Sequence, residues 1–111
     1  MTLEELQQIH QDFENEFWDA PKDEPGYTRH VLEHLAKLMG KLGNIVEPRE
    51  HGIEPSTDTI KREVIPDLLY FSLGLAAVND IDPEKAYLER LKANQAKIEG
   101  RREGILESSS Q

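Results

Sequence analysis

The chain has 111 residues, 37% of them hydrophobic and 32% charged, which suits one domain with a modest core. It contains no cysteine, so disulfides and thiolate chemistry are excluded. Its net charge of −9 argues against DNA or RNA as the main partner, because polyanions repel one another.

The acidity is uneven: the first 25 residues hold eight acids and one base, which reads as a solvated helix face. A small phosphorylated ligand would need a metal ion or a local lysine cluster to offset that charge. The opening residues lack the continuous apolar stretch of a signal peptide. The apolar run from Leu68 to Val78 is too short to cross a bilayer. We therefore expect a cytoplasmic protein with no membrane association.

Thr2 can cap a first helix, and Glu5 three residues later completes a capping box. Leu3, Leu6, Ile9, Phe13 and Phe17 follow at helical spacing, with Trp18 beside the stripe. The helix should stop before Pro21, and residues 19–26, DAPKDEPG, read as a connector. Trp18 is read as a core or interface anchor, the functional alternative being a stacking surface for a base. A second helix is expected from Tyr27 or Thr28 to Leu42 or Gly43, with Val31, Leu32, Leu35, Leu38, Met39 and Leu42 as its stripe and Gly43-Asn44 as its stop. Residues 44–56 then form the longest loop.

A third helix should begin near Ser56 to Asp58 and reach Val78, with a kink or break before Asp67 imposed by Pro66. Within it, Glu63 and Asp67 sit at i and i+4, on one face. Leu68 to Val78 is apolar almost all round and needs cover on every side, from a bundle or a second subunit. Asp82 and Pro83 signal the start of a fourth helix, with Leu88, Leu91 and Ile98 as its inner face. The pattern fades near Gly100, so residues 1–101 are assigned to a single domain and 102–111 to a disordered tail. The expected fold class is all-α, a bundle of four helices.

That order of elements carries a resemblance. The Glu63…Asp67 pair opens an apolar helix, the Asn79-Asp80-Ile81-Asp82-Pro83-Glu84 link follows, and the last helix holds Lys92, Asn94, Lys97 and Arg101. Over about residues 27–101 the chain resembles the MazG-like all-α nucleoside triphosphate pyrophosphohydrolases. The resemblance implies hydrolysis of a nucleoside triphosphate to the monophosphate and pyrophosphate. It also implies Mg²⁺ (or Mn²⁺) held by Glu-Glu-x-x-Glu and Glu-x-x-Asp motifs on two helices, and assembly as dimers or tetramers.

Asp67 matches the aspartate of the second motif, while its glutamate falls on Val64 and Glu63 lies one residue earlier. The first motif aligns in two registers. Anchored on Gly40, Lys37-Leu38-Met39-Gly40-Lys41 replaces it and no carboxylate survives. Anchored on Glu33-His34-Leu35-Ala36-Lys37, one glutamate remains. A protonated lysine cannot ligate Mg²⁺. The readings are then a reduced metal site of Glu33, Glu63 and Asp67 with His34; direct phosphate binding by Lys37 and Lys41; or a binding or assembly module without catalysis. Under any of these the resemblance adds Asn94, Lys97 and Arg101 as phosphate contacts, against a plain role as charges near a helix end. A homodimer through residues 67–78 is expected.

His30-Val31-Leu32-Glu33-His34 also spells H-x-x-E-H, the signature of one zinc-peptidase class, whose histidines would share a helix face. Three fixed positions in a short chain make this weak, and adventitious metal binding is the better reading of the pair. His10 and His51 read as surface histidines.

Overall fold

The computed structural model describes residues 1–19 and 21–109. Among them the chain is all-helical, without strands: α1 (Leu3–Phe17), α2 (Glu24–Glu50), a π-helical turn (Ile60–Val64) leading into α3 (Ile65–Val78), and α4 (Pro83–Ser109). No single helix among the described residues is long and apolar enough to cross a membrane. The chain divides into two compact units, Met1–Asp80 and Ile81–Gln111.

The start of α1 follows the sequence. Thr2 Oγ1 accepts from the Glu5 amide at 3.1 Å, and Glu5 reaches back to the Thr2 amide at 3.4 Å. The face it buries differs from the expected one. His10 and Glu14 are 6% and 4% exposed, while Ile9, Phe13 and Phe17 stay largely exposed. His10 is thus no surface histidine.

Helix α2 is longer than its pattern suggested at both ends. Asp23 accepts from the Gly26 amide at 2.9 Å and Pro25 sits in the first turn, which turns the last three residues of the expected connector, Glu24 to Gly26, into helix. Gly43 does not stop α2, because the apolar spacing Leu38, Leu42, Ile45 continues through it and buries Ile45. The stop is Gly52, at φ +76°, a conformation glycine adopts without steric cost. The Gly52 amide donates to Arg49 O at 3.1 Å and the Ile53 amide to Pro48 O at 3.0 Å. Those two bonds make a Schellman motif. The loop expected over 44–56 shrinks accordingly.

Pro66 produces the expected break in a specific form. Its ring crowds the carbonyl of Arg62, and the chain answers with a π turn in which the Ile65 amide donates to Ile60 O. Helix α3 follows and packs on both α1 and α2. The core of this first unit is Tyr27, Val31, Leu38, Val64 and Phe71. On α3, Phe71, Leu73, Gly74 and Ala76 are buried, whereas Ile65, Leu68 and Leu69 are exposed.

The second unit is α4. Asp82 Oδ1 accepts from the Glu84 amide at 3.0 Å, the expected cap. Its Leu88, Leu91 and Ile98, expected as an inner face, are exposed within this unit. The helix continues through residues 102–109, where a disordered tail was expected; Arg101, Arg102, Glu103, Leu106 and Glu107 are good helix formers. Ser110 and Gln111 lie outside the described residues.

Candidate functional site

A buried polar cluster joins α1 to α2, and α3 packs against it. The Tyr27 hydroxyl donates to Glu14 Oε1 at 2.8 Å, and His10 Nε2 contacts the same oxygen. Tyr27 is 2% exposed, and its hydroxyl lies where a side chain at position 74 would start, so only glycine fits there. Burial, followed by the hydrogen bond and charge of Glu14, pushes the Tyr27 phenol well above its ordinary value. Burial, then Glu14, does the same to Tyr70, whose ring meets His10 edge-on at 4.4 Å. Both phenols therefore stay protonated. A carboxylate this deep has to be hydrogen-bonded, and the Tyr27 hydroxyl meets that need for Glu14, whereas His10 Nε2 touches it without making a hydrogen bond. The network is structural.

The candidate site lies beside it. Trp18 leaves α1 in extended backbone, and its indole meets His30 at 4.7 Å and Tyr70 at 5.4 Å. His30 and His34, one turn apart on α2, are 4.4 Å apart, and His34 lies 5.0 Å from Phe71 at an interplanar angle of 31°. These rings wall an open cavity of about 420 Å³, lined by Trp18, His34, Tyr70 and Phe71 with Phe13 and Phe17 at one side and Asp67 as its carboxylate. That volume falls within the range of small-molecule sites. Burial, then the neighbouring His30 and Lys37, lowers the His34 pKa from its ordinary 6.5, against an opposite pull from Asp67 and Glu33. At neutral pH its imidazole is uncharged and can accept as well as donate.

The structure brings some of the expected site residues together and leaves others apart. Trp18, His34 and Asp67 meet in one pocket. Lys37 lies on the turn of α2 after His34, close enough to influence it, and is exposed. Lys41 is one turn further on and is bound to Glu63 by a 3.0 Å ion pair. Glu63 thereby faces a lysine rather than a metal position, and Glu33 is exposed on α2. Among the described residues no group of three or more His, Asp or Glu side chains converges where a metal ion could sit. Glu33, Glu63 and Asp67 are thus not gathered into one such group, whereas a Mg²⁺ site needs several oxygen ligands around one point. Among the described residues the H-x-x-E-H histidines find no third ligand, and His30 Nε2 is buried without a hydrogen-bond partner. Asn94 is half-buried and Lys92, Lys97 and Arg101 are exposed, all on α4 in the second unit.

Sequence reasoning missed the aromatic character of this pocket. Phe13, Phe17, Tyr70 and Phe71 all looked like core or interface. The available signal was that α1 and α2 each place rings one turn apart, Phe13 with Phe17 and His30 with His34, on either side of Trp18. No protein-family model, curated protein or solved structure matches this chain.

Proposed function

We propose that this protein is a divergent MazG-like nucleotide-binding module, an all-α bundle in which base recognition persists without the family's metal cluster. The observation that carries this reading is the ring-walled cavity between α1, α2 and α3, with Trp18, His34, Tyr70 and Phe71 as stacking surfaces. A flat heteroaromatic ligand gains about 1–3 kcal/mol for each base stacked on such a side chain. Lys37, on the turn after His34, supports a phosphate position outside the rings, with Lys41 next along the helix. Asn94 and Lys97 complete the proposed ligand contacts by family resemblance alone.

Turnover of nucleoside triphosphates to monophosphate and pyrophosphate is the second reading. Asp67 and an uncharged His34 share the cavity wall, and either could take a proton from an attacking water. Calorimetric titration of a nucleoside triphosphate in EDTA tests the first reading, and pyrophosphate release with Mg²⁺ or Mn²⁺ tests the second. Binding without release supports the module. Release abolished in Asp67→Asn supports the enzyme, and neither binding nor release refutes both.

A homodimer through α3 belongs to the same proposal. Ile65, Leu68 and Leu69 are exposed on that helix, and Ile9, Phe13, Leu69 and Pro66 line an apolar groove of about 310 Å³ between α1 and α3. Faces of this kind are covered in solution. Light scattering should give twice the chain mass, reduced to the chain mass in Leu69→Glu; a monomeric wild type refutes it.

A further inference from the structure

We infer that the cavity selects guanine among the nucleobases, through the carboxylate of Asp67. This rests on the nucleotide-binding reading and adds what that reading leaves open, the identity of the base. The ring walls have no such preference, since every base has a face to stack. Selection must come from edge contacts, and the polar groups lining the cavity differ in kind. His34, as a neutral imidazole, and Tyr70, as a protonated phenol, can each accept or donate as a ligand requires. Among the described residues Asp67 is the cavity's only carboxylate, it is half-buried, and it forms no ion pair. An ionised carboxylate only accepts, through two oxygens side by side.

Of the common bases only guanine presents two adjacent donors to such a group, its N1–H and its N2 amine. Adenine and cytosine place a ring-nitrogen lone pair beside their amine, and uracil flanks its N3–H with two carbonyls. Each of these sets a lone pair against a carboxylate oxygen in a partly desolvated site, where unmatched polar groups are costly. The charge arrangement agrees. Asp67 repels phosphate from its own part of the cavity wall, and Lys37, on the turn of α2 after His34, attracts it.

Guanosine, inosine, adenosine, cytidine and uridine monophosphates, titrated calorimetrically in EDTA, test this without any hydrolysis or metal. A bidentate pair discriminates by roughly ten- to hundredfold. GMP should therefore bind that much more tightly than AMP, CMP and UMP, with IMP, which lacks the N2 amine, between them. In Asp67→Asn guanosine monophosphate should lose affinity and xanthosine monophosphate gain it, because at the C2 position the amide donates to a carbonyl where the carboxylate accepted from an amine. That gain of binding also shows that the variant is folded. Equal affinity for all five monophosphates, or a guanine preference that survives Asp67→Asn, overturns the inference while leaving nucleotide binding intact. Binding of none overturns both.

Discussion

Gly74→Ala isolates the most tightly constrained contact in the molecule. A methyl carbon built at position 74 would lie 1.6 Å from Tyr27 Oη, 2.3 Å from Cζ and 2.7 Å from Cε1, all impossible separations. The ring cannot simply turn aside, because Tyr27 is buried between helices and its hydroxyl is held by Glu14 at 2.8 Å. To admit the methyl, the phenol must leave Glu14, or α3 must move off α2. Overpacking costs about 1–3 kcal/mol and a lost hydrogen bond to a charged group about 1.5–3, against about 1 recovered from alanine's better helix propensity. The net loss is about 1.5–5 kcal/mol. For a unit of this size that lowers the melting temperature by roughly 10–30 °C. Circular dichroism melts of wild type and Gly74→Ala provide the measurement. Propensity alone predicts the opposite sign, so an unchanged or raised melting temperature refutes the packing argument. Adding Tyr27→Phe should restore only part of the loss, since it removes the oxygen but leaves Cζ and Cε1 in place.

Three further outcomes follow from particular residues. Gly43 lies in open space inside α2 and Gly52 sits at φ +76° just past its end. Gly43→Ala should therefore stabilise by about 0.5–1 kcal/mol and Gly52→Ala destabilise by about 1–2 in urea titrations; reversed signs would place the helix end at Gly43. The Lys41–Glu63 pair is exposed, so Lys41→Ala should cost less than about 1 kcal/mol. A larger loss would mean that the pair holds the π turn against α2. Burial holds the His34 pKa below its ordinary 6.5, so below that pH the unfolded chain takes up the proton more readily. Its contribution is fully present above pH 6.5 and is lost as pH falls through the folded value. Unfolding free energies measured across that interval should decline more steeply in wild type than in His34→Gln, and equal slopes refute the assignment.

Local chemistry alone determined the first cap, the break before Asp67 and the start of α4. Thr2 with Glu5, Pro66, and Asp82-Pro83 each act within one helical turn, where backbone sterics and a single hydrogen bond settle the outcome. The all-helical class was also legible, because apolar spacing near 3.6 recurs along the chain. The end of α2 lay on the boundary of what local signals can decide: Gly43 permits a stop, and only the burial of Ile45 against the rest of the unit carries the helix on to Gly52.

The site was legible only in fragments. Trp18, His34 and Asp67 stood out singly, yet they come from the end of α1, from α2 and from α3, and nothing in their spacing says that they share a cavity. Glu63 and Asp67 looked equivalent at i and i+4, but a reach of 3.0 Å from Lys41 occupies one and leaves the other in the pocket. His10 and Glu14 resembled surface residues until Tyr27 closed over them. A polar residue's fate depends on the partner that the tertiary fold delivers, because burial is tolerable only when the hydrogen bond arrives with it. The apolar run from Leu68 to Val78 announced a helix in need of cover; packing on α1 and α2 decided which of its residues received it.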